Sequence, residues 1–143
     1  IQQKELQKMS SQLKVINHSQ ARVFTDRRGS LTVYESACEI PFDVKRVFVV
    51  HNVTDGRGGH AHIDTDQVLF PASGSITVRT FDGNNWVDYK LIDPHSFLFI
   101  PSMIYVELIN FSEGASCVVL ANTKYNVSKS LRTLDIFKKE FLD

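Results

Sequence analysis

Residues 57–62, Arg57-Gly58-Gly59-His60-Ala61-His62, with Gln67 five positions further on, decide how this chain is read. Alternate residues of a β-strand project to the same side. His60 and His62 therefore share one face and can both turn into a barrel, while Ala61 faces out and takes little room. Two imidazoles on one wall, just after an arginine and a glycine pair, are the makings of an active site, whether they hold a metal or move protons.

Outward from that stretch, residue 14 onward consists of short β-branched and aromatic runs broken by Gly, Asp, Asn and Pro, a spacing that belongs to all-β domains. Strands are predicted at Leu31–Glu39, Arg46–Asn52, Gly59–His62, Gln67–Pro71, Ser75–Phe81, Trp86–Leu91, Phe97–Ile100, Val106–Asn110 and Cys117–Asn122. Asp82-Gly83-Asn84-Asn85 lies between two of them, and Asp-Gly is a strong hairpin signal. Ile76, Val78 and Thr80 alternate with Ser75, Thr77 and Arg79, giving one buried and one wet face. The run Cys117 to Leu120 is apolar throughout and reads as a central strand. After Tyr125, Leu131, Leu134, Phe137 and Phe141 fall at helical intervals, which predicts a short terminal helix across the barrel. The reading is an all-β double-sheet jelly roll with a short C-terminal helix. It occupies residues 14–143, and residues 1–13 form an N-terminal extension or linker.

At 143 residues the chain has the length of one domain. Its 16 basic and 16 acidic side chains cancel, so no global field steers it onto nucleic acid or an anionic membrane. Any anionic ligand must be met by locally placed arginines. No apolar run approaches the ~20 residues of a membrane span, and no segment has the order of a signal peptide; the expected compartment is the cytoplasm. Cys38 and Cys117 sit among apolar neighbours without Cys-x-x-Cys spacing. Both are read as buried thiols, outside any zinc site or disulfide framework.

The residues resemble the two motifs of a cupin. Gly56, His60, His62, Gln67 and Gly74 stand where the first motif has Gly, His, His, Glu and Gly. Pro101, Met103, Val106 and Asn110 stand where the second has Pro, Gly, His and Asn. Two of the four usual metal ligands are thus altered, and two imidazoles with a neutral amide make a poor site for a divalent first-row metal. No metal and no other cofactor is expected.

Residues 22–142 resemble more particularly the metal-free cupins that are dTDP-4-keto-6-deoxyglucose 3,4-ketoisomerases. Asp26, Arg28, Gly29 and Leu31 carry the likeness, with Pro41, Phe42 and Val44 to Val47, the Arg57-Gly58-x-His60-Ala61-His62 core with Gln67, and Glu107, Asn110, Phe111 and Ser112. The Arg-Gly-x-His core also resembles, more distantly, the dTDP-sugar 3,5-epimerases. In the ketoisomerases the place of Phe48 commonly holds tyrosine, that of Tyr105 tryptophan, and that of Val106 histidine or arginine.

The resemblance implies a dTDP-linked 4-keto-6-deoxyhexose as substrate and a homodimer paired through N-terminal strands. Moving a carbonyl from C4 to C3 requires a proton to leave C3 and one to arrive at C4, and an imidazole titrating near ~6.5 can do both. His60 is the expected base, by its match to the epimerase histidine, with His62 as its relay. A nucleoside diphosphate brings about two negative charges, which arginine forks meet best; Arg28, Arg46 and Arg57 are the candidates, Arg28 reaching a neighbouring subunit. Gln67 is expected at the sugar, and Tyr105, with Tyr34 and Phe48, is a candidate to stack on thymine or line the pocket. Asp64 and Asp66 follow at the same parity, in the turn before Gln67, and His18, His51 and His95 are read as structural or exposed. The alternatives are a 3,5-epimerase and a non-catalytic cupin that binds a nucleotide sugar.

Overall fold

Backbone pairing in the computed structural model, which describes residues 15–125, 130–131 and 134–142, follows the alternation of the sequence closely. The extension at 1–13 lies outside the described residues. The elements are β1 (Asn17–Gln20), β2 (Arg22–Asp26), β3 (Gly29–Val33), β4 (Arg46–Val50), β5 (Arg57–His62), β6 (Gln67–Ser73), β7 (Ile76–Phe81), β8 (Trp86–Leu91), β9 (Ser96–Ile100), β10 (Tyr105–Ile109), β11 (Ser116–Ala121), β12 (Ser130–Leu131) and the helix α1 (Leu134–Leu142). Two five-stranded sheets form, in the orders β1-β9-β6-β11-β4 and β12-β5-β10-β7-β8, and β2 and β3 make a separate two-stranded ribbon. The described pairings are antiparallel. This is the jelly roll expected from the strand pattern, with the predicted helix at its C-terminal end.

Alternation along each strand builds three apolar layers. Leu69, Val78, Leu98, Ile100, Leu108, Cys117 and Val119 meet between the sheets. Their neighbours Val68, Phe97, Phe99 and Leu120 point to the outer face of the first sheet, where Ala21, Ile40 and Phe42 cover them. On the outer face of the second sheet Ala61, Phe81 and Tyr105 are covered by Phe137 of α1. The apolar run of β11 is central because it feeds two of these layers while lying between β6 and β4. At the Asp82 turn the carboxylate accepts the Asn84 and Asn85 amides at 2.8 and 2.7 Å, closing the β7–β8 hairpin and holding its own pKa low.

Two expectations need correction here. The strand predicted at Leu31–Glu39 ends at Val33; Ala37 has φ +68°, and a turn follows in which Cys38 and Ile40 both donate to the Glu35 carbonyl at 3.1 Å. Arg22 grips Glu39 and Glu35 across that turn, at 2.9 and 3.0 Å, and holds the Glu39 carboxyl well below the usual range, at about 2. Cys38 consequently stands exposed on the turn, whereas Cys117 is buried, its thiol pushed up to about 12 by burial. β1 escaped the pattern because its sequence, Asn17-His18-Ser19-Gln20, is polar throughout: it is an edge strand that joins β9 through backbone bonds.

No helix among the described residues is long and apolar enough to cross a membrane. Phe137 is fully buried against the back of the histidine strand, so Phe137→Ala is expected to cost about 3–5 kcal/mol. Urea unfolding followed by tryptophan fluorescence will measure it; a loss under about 0.5 kcal/mol, the level of a surface change, would contradict this packing.

Candidate active site

Between the sheets lies a cavity of about 530 Å³, and β5 supplies its chemistry: Arg57, Gly58, His60 and His62 all line it. Plain alternation would place Arg57 and His60, three residues apart, on opposite faces. The register resolves this. Leu108 pairs with Arg57 and Val106 with His60, so β5 carries one more residue than β10 over the same length. That is a β-bulge, and it needs backbone shapes that glycine adopts cheaply. Gly58 and Gly59 have φ of +95° and +76°. A Cβ on Gly58 would stand 2.9 Å from the Val106 carbonyl oxygen.

Beyond the bulge His60 and His62 face the cavity with ring centroids 4.8 Å apart and planes at 87°, both half-buried. Ala61 between them is fully buried on the other side. The crossover to β6 is tied down next to them. The Asp66 carboxylate accepts the Ser102 amide at 2.9 Å and the Asn122 side chain at 3.3 Å, and Met103 donates its amide to the His62 carbonyl at 2.7 Å. Asp66 thus fixes the loop that leads to Gln67, which is buried and lines the cavity.

The crossovers at 51–56 and 63–66 join the two sheets at opposite ends, so the cavity has an open and a closed end. His51, Asn52, Asp55 and Arg57 make an exposed rim, while Thr65, Gln67 and Pro101 are buried at the other end. The three candidate arginines are accordingly not brought together. Arg57 stands on the rim. Arg46 starts β4 just beyond the residues that line the closed end, in register through Ala121 with Gln67, and lies about 13 Å along the strand from the rim. Its guanidinium carbon is 5.4 Å from the Phe48 ring centre and 5.8 Å from that of Tyr125, and its Nε is buried without a hydrogen-bond partner among the described residues. Arg28 is at the tip of the β2–β3 ribbon, exposed and paired with Asp26 at 2.7 Å.

Tyr105 is not at the cavity, against expectation. On β10 the even positions Ile104, Val106 and Leu108 turn inward, so Tyr105 turns outward and packs on Phe81, Trp86 and Phe137; burial raises its hydroxyl pKa. Tyr34 is also structural, stacked on Phe70 at 3.9 Å with its hydroxyl donating to the Pro94 carbonyl at 2.6 Å. His18 bonds Ser96 at 3.1 Å and His95 meets Asp93 at 3.2 Å. His51 is exposed, as expected, and is part of the rim. The glycine bulge and the rim were not read from the sequence, although Gly58-Gly59 carried the signal for the first.

The family model described as "FdtA: WxcM-like, C-terminal" matches residues 11–141. The chain belongs to this FdtA-like family. A TDP-4-oxo-6-deoxy-alpha-D-glucose-3,4-oxoisomerase of Aneurinibacillus thermoaerophilus is 35% identical over 128 residues, which cover 88% of this chain and 90% of that one. A 3,4-ketoisomerase from Helicobacter canadensis superposes with a TM-score of 0.86 at 35% identity, over 90% of this chain and 98% of the other. The ketoisomerase QdtA of Thermoanaerobacterium thermosaccharolyticum, in a histidine-to-asparagine form holding TDP-4-keto-6-deoxyglucose, matches with a TM-score of 0.85 at 30% identity, over 90% and 95% of the two chains. The FdtA-like chain therefore shares the cupin-like fold of sugar 3,4-ketoisomerases.

Cupins commonly hold a metal at this wall, and the donor set can be tested against one. His60 and His62 are present, but the other two positions carry the Gln67 amide and the Val106 isopropyl group, and no cluster of three His, Cys, Asp or Glu forms among the described residues. Two imidazoles and an amide do not fit a divalent first-row ion.

If the bulge orients the site, Gly58→Ala should destabilise the protein by roughly 1–3 kcal/mol, the range for a residue forced into a sparsely populated backbone region, and lower turnover as well. Melting and initial-rate measurements on one preparation check this. Unchanged activity would mean that the bulge does not set the imidazoles.

Proposed function

We propose that this enzyme isomerises a dTDP-4-keto-6-deoxyhexose to its 3-keto isomer, with His60 taking the proton from C3 and His62 relaying protons at the sugar oxygens. The observation that carries the reading is the pair of imidazoles on one cavity wall without a metal donor set. Proton transfer by a positioned imidazole typically supplies ~10² to 10⁴ in rate. A relative named as a TDP-sugar 3,4-oxoisomerase and a neighbour named as a 3,4-ketoisomerase support the reaction class. The cytoplasm and the synthesis of 3-amino-3,6-dideoxysugars for surface polysaccharides are the setting we infer.

The hexose would lie at the closed end, over His60, with Gln67 and Arg46 on its oxygens, and the diphosphate would meet Arg57 at the rim. In this arrangement the arginines serve different parts of one elongated ligand. Arg28 joins them only from a second copy of the chain. The β2–β3 ribbon exposes Phe24 and Leu31, 61% and 59% accessible, and the edge strand β4 exposes Val47 and Val49, 58% and 50% accessible. An apolar ribbon and an apolar sheet edge on one molecule invite pairing, so we infer a homodimer in which each ribbon crosses to its partner.

Incubation with dTDP-4-keto-6-deoxyglucose in heavy water, followed by NMR, should show the carbonyl move to C3 and deuterium enter at C4. Label at C5 with the carbonyl still at C4 would indicate a 3,5-epimerase instead. His60→Asn should lose ~10² or more in turnover while still binding dTDP, and a chelator should leave the wild type active. Sedimentation should give a dimer for the wild type and a monomer for Phe24→Asp/Leu31→Asp; a monomeric wild type would remove the dimer and the role of Arg28 with it.

A further inference from the structure

We propose that Asp66 is a positioning residue for His62, acting through the turn at 101–104, and that it governs turnover without touching the substrate. The proposal rests on the ketoisomerase reading for what His62 does and adds how that imidazole is held in place.

His62 is the last residue of β5, where the pairing of that strand with β10 runs out. The register of the two strands reaches as far as His60 against Val106. Two residues further on the Met103 amide takes over, donating to the His62 carbonyl at 2.7 Å. That amide belongs to a turn of costly shape. Met103 has φ +65°, in the left-handed region that a side chain with a Cβ disfavours and that glycine enters freely. Glycine is what the second cupin motif carries at this place. Such a conformation persists only where its surroundings fix it.

The surroundings act from two directions. Pro101 and Ile104 line the cavity, while Met103 packs behind the histidine strand, against the cluster of Ala61, Phe81, Tyr105 and Phe137. The turn therefore wraps the end of β5 from front to back. Asp66 supplies the other hold, its carboxylate accepting the Ser102 amide at 2.9 Å, and an ionised acceptor makes a stronger bond than a neutral one.

Asp66 is itself anchored to the first sheet. Its amide donates to Asn122 Oδ1 at 2.9 Å, Asn122 Nδ2 donates to its second carboxylate oxygen at 3.3 Å, and the Asn122 amide donates to its carbonyl at 3.3 Å. Asn122 directly follows β11, the strand between β6 and β4, and Thr65 adds a bond to Thr123 at 2.6 Å. Two successive amides are thus pinned to opposite sheets, Ser102 to the end of β11 through Asp66 and Met103 to β5 through His62. The turn is a strap that passes the stiffness of the first sheet to the imidazole at the end of the second. Asp66 does not line the cavity, and the rim that would meet the diphosphate is at the other end, so the strap bears on the chemical step and not on the grip of the nucleotide.

Asp66→Ala, assayed below its melting temperature with dTDP-4-keto-6-deoxyglucose, should lower kcat by about 10², the scale of a small misplacement of a reacting group, with KM within about threefold of wild type. Adding Met103→Gly should recover about tenfold of that loss, because glycine takes the turn's shape without the carboxylate to enforce it. A carboxylate that served stability alone would give the reverse, since removing the Met103 side chain also weakens the packing behind Ala61. The proposal is overturned if folded Asp66→Ala keeps its kcat, if KM alone rises, or if the double variant is no faster than the single one. Hydrogen exchange on the wild type tests the strap without variant or substrate: the Ser102 and Met103 amides should exchange about 10² more slowly than exposed amides of the rim at 51–56, and equal rates would overturn it. A wild-type protein that forms no 3-keto product would instead bring down the isomerase reading, whatever the exchange rates show of the strap.

Discussion

The site depends on one extra residue in β5. Without the bulge at Gly58 and Gly59, strand parity would put Arg57 on one side of the sheet and His60 on the other, and a cation at the rim could not serve the same ligand as the imidazoles. Bulges of this kind re-aim side chains at the cost of a ladder position, and here that cost falls on two residues whose positive φ angles suit glycine. The close approach of the Val106 carbonyl to Gly58 shows how little room the arrangement leaves. An aliphatic Val106 at the matching place on β10 fits beside the bulge and finishes the wall with an apolar surface.

Position then has to be held. Phe137 presses on Ala61 from outside the barrel, Phe81 and Tyr105 flank the contact, and β12 pairs with the free edge of β5 at Ser130 and Leu131. The histidine strand is thereby fixed on both edges and from behind, while its front faces the cavity. A site built on a strand clamped in this way keeps its imidazoles in register better than one carried by a loop. The terminal helix supports the candidate site in that sense, although none of its described residues lines the cavity.

Much of this was legible in the residues. The His60-x-His62 spacing gives its own face, the Asp82-Gly83 turn defines a hairpin, and the Cys117–Leu120 run identifies a strand buried on both sides. What the chain does not display locally is register across strands and which end of the barrel a residue occupies. Tyr105 reads as a pocket aromatic by residue type alone, yet it adjoins the inward-facing Val106, and neighbours in a strand point to opposite faces. Arg46 and Arg57 were grouped by chemistry, and only the crossovers at 51–56 and 63–66 reveal that they mark opposite ends. The polar β1 carries no alternation, and its place depends on an edge offered by β9, a partner almost eighty residues away by the His18–Ser96 pairing. Cys38 lay beyond reach for a related reason, since the turn that exposes it is set by Arg22 gripping two glutamates.

The separation of the arginines makes sense in a protein with no net charge. A chain without a global field must place its cations where the ligand's charges will be, and a nucleoside diphosphate sugar carries its charge in the middle and its reactive carbonyl at one end. A rim cation with an apolar interior beyond it would admit an uncharged hexose and leave a diphosphate in partial contact with water, avoiding the large penalty of burying two phosphates. Under the proposed reading the two sheets divide the labour: one carries the imidazoles, and the other carries the largely apolar shape against which a sugar would lie.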